Sequence, residues 1–340
     1  MDTLTTLPRL ETDASVPSPR ELDGRRGRGD RIFFTGATAS GFIVMSIMVA
    51  FGVFLSIQAA QSLRVRGFKF LTTAAWEPDR GVFGIASIMT GTVLVAIVAV
   101  VIALPIAMGT ALFITEVAPV RVRSTLVALI ELMAAVPSLV YGLWGAYLLQ
   151  GNIIPISRWI SSWFGWIPFL HVTGALNSDG TPNLNAYAAA TFIAGVVVAM
   201  MVMPIQTVVM REVFSQVPLG EREGAFALGA TRWGMIRVVA MPFARGGIIG
   251  GTMLGLGRAL GETIAVALIL SPIYRFNWHI FEAGGNTVSL LIATKYKEAS
   301  GVQLSALFAA GLALFAVTLV VNFTASWFVA RSRSGASSDA

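Results

Sequence analysis

The chain has 340 residues, 55% of them hydrophobic and 12% charged, and a mean hydropathy of +0.75. Soluble domains carry about a quarter charged residues, so this composition belongs to a protein that crosses a membrane several times. The absence of cysteine excludes disulfides, thiolate metal sites and a cysteine nucleophile, and two histidines, His171 and His279, argue against a histidine metal site. The net charge of +6 is no nucleic-acid signature: no basic stripe with interleaved aromatics stands outside the apolar segments.

In chain order, residues 1–31 are rich in Pro, Arg, Gly and acids and read as a disordered cytoplasmic tail that is not a cleaved leader. A spanning helix needs about 20 predominantly apolar residues. Stretches at 32–58, 83–114, 124–149, 186–210, 246–271 and 303–329 qualify, which predicts an all-α polytopic fold of six spans, with a first anchor followed by a core over 83–329. Pro105 is expected to kink the second span, while Pro137 and Pro204 shape the third and fourth.

An even number of spans puts both termini on one side. The arginines of the N-terminal tail, Arg121, Arg123, those of 211–245, and Arg331 and Arg333 of a C-tail at 331–340 outnumber the basic residues of the opposite loops. The termini are therefore expected in the cytoplasm. Residues 150–185 then form an external loop. In it Ile156, Trp159, Ile160, Trp163 and Ile167 recur at helical spacing, as in a segment lying at the membrane surface, and "NSDGTPN" at 177–183 is a turn.

The internal loop 211–245 is unusually apolar and regular. Residues 221–230 predict a short helix with Ala225, Phe226 and Leu228 as contacts, ended at Gly229. A second short helix is expected over 231–240, stopping before Pro242. Together they form a rigid cytoplasmic knob suited to docking another protein.

The fifth span holds Arg258 and Glu262. Charges within a membrane cost about 2.5–3.5 kcal/mol each on insertion scales, whereas an exposed i,i+4 pair returns about 0.2–0.5 kcal/mol. At about 100° per residue, both fall on the face of Gly247, Gly251 and Gly255, with Ile249, Met253, Leu256, Leu260 and Ile264 opposite, toward lipid. One reading is a small-residue packing seam carrying a self-satisfied ion pair. The other is a pore-lining guanidinium whose fork suits an oxyanion. Glu262 would neutralise it between anions and accept a hydrogen bond from a protonated oxyanion. Glu131, within the third span, is a further pathway candidate, and Gln206 and Tyr141 are lesser ones.

Two resemblances sharpen these readings. The pattern from Glu223, Gly224 and Ala225 through Gly229 to Val239, Met241 and Pro242 resembles the EAA loop of bacterial ABC-importer permeases, with Gly224 in place of an alanine. "ITEVAPVRVRSTLVALIELMAAVPSLVYGLWG" (114–145) and "GLGRALGETIAV" (255–266) resemble the phosphate-specific importer permeases of PstC type, and the resemblance covers nearly the whole chain. It implies a MetI-like architecture and a pore shared with a PstA-type permease. It also implies a PstB-type ATPase dimer inside, holding ATP-Mg, and a PstS-type phosphate-binding protein outside. Arg258 and Glu262 match the family's transport motif. The chain itself has no GxxxxGK[ST] phosphate loop, so no bound cofactor and no catalytic activity are expected of it. A permease for sulfate or molybdate and an ion-coupled secondary transporter are the alternatives. Paired broken helices, expected of the latter, are not evident in the sequence.

Overall fold

A computed structural model describes residues 27–333. The predicted N-terminal tail up to residue 26 and the end of the C-tail lie outside the described residues. Among the described residues ten helices carry the fold: α1 (Arg28–Arg66), α2 (Ala86–Val117), α3 (Val120–Ala135), α4 (Ser138–Phe164), α5 (Thr191–Ser215), α6 (Leu219–Ala227), α7 (Arg232–Gly261), α8 (Ile264–Ile269), α9 (Val288–Lys295) and α10 (Gly301–Arg333). Among the described residues, α1, α2, α5, α7 and α10 are each long and apolar enough to cross a membrane, and the bent pair α3–α4 supplies a sixth crossing. A two-stranded hairpin, β1 (Trp76–Glu77) with β2 (Val82–Phe83), and one helical turn at Lys69–Thr72 lie between α1 and α2.

Several boundaries differ from expectation. Helix α1 starts at Arg28, inside the predicted tail, and runs beyond 58 to Arg66; apolar length sets a minimum for a helix, and nothing in the flanking residues stops this one. Residues up to Phe51 form a unit of their own, whose described side chains are exposed along the helix.

In the second unit α5 is the central post, since 61% of its most apolar stretch is buried. Small side chains let α2 approach it closely: Ala96, Ala99 and Ala103 pack with Ile193, Val197 and Val198. A lower cluster joins Ala107 and Ala111 of α2, Met210 and Phe214 of α5, and Met235, Ile236, Ala240 and Ala244 of α7. At the opposite end the Ser62 N–H donates to the Ser305 hydroxyl at 3.0 Å and the Ser62 hydroxyl to the Ser305 carbonyl at 3.1 Å, fixing the end of α1 to the start of α10. There the loops 165–190 and 270–287 are tied together. His279 Nδ1 lies 3.0 Å from Glu282, whose carboxylate also accepts the Thr173 N–H, and Phe192 N–H donates to Ile280.

The third span is not one straight helix. Val136 is extended (φ −65°, ψ 128°) ahead of Pro137, and α3 and α4 meet at 88°. The proline ring disfavours helical geometry in the residue before it and offers no N–H to continue the ladder. Helix α4 runs on to Phe164 and turns Ile156, Trp159 and Trp163 outward while Ile153, Ser157 and Ser161 are buried.

Candidate functional site

The fifth span is also interrupted. Helix α7 ends at Gly261, Glu262 is extended (φ −67°, ψ 128°), and α8 begins at Ile264. The Glu262 carboxylate accepts the Ala265 N–H at 3.2 Å, so it caps one of the otherwise unpaired N–H groups that open α8. The predicted continuous helix over 246–271 is therefore replaced by two, and Arg258 and Glu262 do not stack at i and i+4. No ion pair joins them among the described residues. A carboxylate that can satisfy a helix start competes with helix continuation, and Gly261 just before it favours the interruption.

The two interrupted helices meet. A Cβ on Gly142 of α4 would lie 2.8 Å from Ala265 Cα and 2.9 Å from Leu268, and Gly145 abuts Val197 and Ile269. Tyr141 bridges the first break by donating to the Met133 carbonyl at 3.0 Å. Discontinuous helices were absent from the sequence reading, and one of the two breaks lies beside Arg258. They no longer separate the rival transport classes.

Around α7 three faces are distinct. Gly247 sits against Val213, Gly251 against Val209 and Met210, and Gly255 against Gln206 and Val202, so the glycine column packs on α5. Leu256 and Leu260 pack into the main core, Leu260 with 3% exposure. This corrects the expected lipid-facing orientation of Leu256 and Leu260, whereas Ile264 is exposed. Leu254, Arg258 and Gly261 lie on the exposed face. The packing seam and the charged face are neighbours on one helix, and Arg258 belongs to the open one. Gln206 is fully buried in the seam with neither amide atom partnered. Glu131 stands on α3, which has no buried residue, and it has no ion pair among the described residues.

At the lower end, α6 carries Glu223, Gly224 and Ala225, and Gly229 follows it with φ +83°. The Thr231 hydroxyl then accepts the Gly234 N–H at 3.1 Å and starts α7. The second predicted short helix is thus the beginning of the fifth span itself. A π-turn over Ile236–Ala240 precedes Pro242 and carries the helix past it; such widened turns accommodate a residue that cannot make the regular bond. Phe226 is exposed and Leu228 is 91% exposed, so neither is the internal contact that the sequence implied. Beside them a cleft of about 480 Å³ is lined by Glu221, Gly224, Ala225, Leu228, Val238 and Pro242, among others. Sequence reasoning overlooked Glu116 and Arg222, which meet across α2 and α6 at 3.2 Å. An acid at the end of one apolar helix and an arginine at the start of an internal one were the available signal.

A polytopic bundle with two interrupted spans, an exposed arginine beside one of the breaks and a short helical projection at one end is the architecture of a membrane transport subunit. A family profile described as "Binding-protein-dependent transport system inner membrane component" matches residues 103–334, and the chain belongs to that family. The "Phosphate transport system permease protein PstC 2" of Mycobacterium tuberculosis is 36% identical over 302 residues, covering 88% of this chain and 91% of the relative. The "Phosphate transport system permease protein PstC" of Mycobacterium leprae is 38% identical over 312 residues, 91% and 94% of the two chains. Among solved structures, a chain from a bacterial ABC transporter involved in import of the acidic polysaccharide alginate superposes with a TM-score of 0.57. It shares 16% identity over 88% of this chain and 96% of that one, which shows a common fold.

Proposed function

We propose that this chain forms half of the translocation pore of an ATP-driven importer of inorganic phosphate. The observation that carries the reading is Arg258: a guanidinium beside a helix interruption, exposed and without a carboxylate partner among the described residues. A charge placed there is costly unless an anion uses it. The names of the relatives support phosphate as that anion. In this conformation Glu262 caps α8 instead of neutralising Arg258, which leaves the fork free for phosphate oxygens. The remaining lone pairs of Glu262 can accept from a protonated phosphate, a donor that sulfate lacks near neutral pH. Glu131 lies farther along the same pathway.

The exposed flank made by α3 and the open face of α7 fits a second permease of PstA type. The cleft beside α6 fits a PstB-type ATPase dimer, which holds ATP-Mg, and a PstS-type binding protein delivers phosphate from outside. This chain binds no nucleotide or metal and catalyses no reaction. It resides in the bacterial plasma membrane with both termini in the cytoplasm.

The test is uptake by the reconstituted importer. Arg258→Ala abolishes phosphate uptake while assembly and ATPase co-purification persist, and normal uptake by that variant refutes the assignment. Arsenate competes and sulfate does not. Competition by sulfate would point to a broader oxyanion permease, and uptake with an ATPase-dead partner would point to secondary transport.

A further inference from the structure

The ion pair between Glu116 and Arg222 does work that the pore reading leaves unassigned. Arg222 sits in the first half of α6 with its side chain 19% exposed, and Glu116 lies in the last turn of α2 at 7%. Arg222 Nη2 is 3.2 Å from Glu116 Oε1, and Nη1 donates to Oε2 at 3.5 Å. The same Nη2 donates to the Phe214 carbonyl, in the last turn of α5, at 2.6 Å. One guanidinium therefore grips the ends of two spans at once. Stability alone does not explain the arrangement. The 3.2 Å arm is off the hydrogen-bonding direction and Arg222 Nε is buried without an acceptor, whereas an apolar pair of similar volume is often as stable as a buried ion pair.

The position of α6 shows what the pair accomplishes. The helix is held at its ends by the Gln216–Pro218 turn and by Gly229 in the left-handed region, two points about which it can rotate. Its exposed surface includes Leu219 and Phe226, with Leu228 exposed just beyond its end. A push on that side would tilt α6 about those points unless a third, directional link prevented it. Apolar contacts are not directional and permit slip; the Arg222 fork supplies bonds to α2 and α5 that do not. Because α7 is locked to α5 by its glycine column, α2, α5 and α7 then move with α6 as one body, Arg258 included.

We infer that Arg222 and Glu116 are positioning residues for energy coupling: they make α6 a rigid lever, so that movement of a docked ATPase reaches the spans as a rigid-body displacement. The inference rests on the reading of α6 as the ATPase-docking element.

The experiment uses the complete importer reconstituted in liposomes, with phosphate moved per ATP hydrolysed as the readout and ATPase co-purification scored separately. Arg222→Gln and Glu116→Gln retain the ATPase but lose about tenfold or more in phosphate per ATP, within the range of ordinary coupling energies. Arg222→Lys, whose ammonium can still donate to Glu116 and to the Phe214 carbonyl, keeps at least a third of the wild-type ratio. The apolar pair Glu116→Leu with Arg222→Met assembles and melts like wild type but stays uncoupled. Wild-type coupling in the apolar pair, in Arg222→Gln or in Glu116→Gln overturns the inference, as does loss of coupling in Arg222→Lys when it assembles normally. If the wild-type chain retains no ATPase, the docking reading fails first, and the two failures are distinguished.

Discussion

Replacing Gly255 by alanine probes whether the packed and open faces of α7 are correctly assigned. A Cβ on Gly255 overlaps the Gln206 amide nitrogen and lies 2.5 Å from Val202 Cγ1 and 2.8 Å from Gln206 Cδ, well inside the roughly 3.5–4.0 Å of a relaxed carbon contact. Overpacking of this kind costs about 1–3 kcal/mol, and the better helix propensity of alanine returns about 1 kcal/mol. A net loss of about 0–2 kcal/mol is expected, which leaves the variant about 1–3 kcal/mol less stable than an unobstructed Gly→Ala exchange. Removing the obstruction changes the outcome. Gln206 carries a buried amide with no partner, so Gln206→Ala gives up little polar bonding and vacates the space, and the double variant recovers about 1 kcal/mol relative to the sum of the singles. Gly257 has nothing within 4 Å of the equivalent Cβ, so Gly257→Ala gains about 1 kcal/mol from propensity alone. Denaturant unfolding of the purified chain in mild detergent measures all four variants. If Gly255→Ala is as stable as Gly257→Ala, or if the cycle with Gln206→Ala is additive, the seam has been placed on the wrong side of the helix.

Other expectations follow from the docking projection and the external loop. Gly229→Ala forces an alanine to φ +83°, costing about 1–2 kcal/mol, and reduces ATPase co-purification; Gly224→Ala, with open space around the new methyl, raises stability by about 1 kcal/mol and leaves docking intact. In the external turn, the Thr181 hydroxyl and N–H, at 2.6 and 3.0 Å, hold the Asp179 carboxyl below its usual range. A depressed carboxyl stabilises the turn above its unfolded-state value and releases it as the pH falls through the folded one. Proteolysis within 177–183 therefore rises on acidification in the wild type and is independent of pH over that interval in Asp179→Asn.

Much of the fold was legible in residue order because a bilayer imposes a simple length rule. Runs of apolar residues had to be spans, and a regular, apolar internal loop had to dock against something. The glycine column at Gly247, Gly251 and Gly255 was readable for the same reason, since spacing on a helix is geometry that the sequence carries. The breaks at Val136–Pro137 and Glu262–Thr263 were harder to read. Apolarity is blind to backbone direction, and a proline or a capping carboxylate bends some membrane helices while others, such as α2 with Pro105 and α5 with Pro204, continue through it. Which flank of α7 is covered depended on the neighbours α2, α5 and α10, which no single helix specifies, and only their placement turned Leu260 inward and left Arg258 exposed. The meeting of Glu116 with Arg222 was likewise decided by tertiary structure, because the residues are far apart in the chain and become partners only when α6 folds back under α2 and α5.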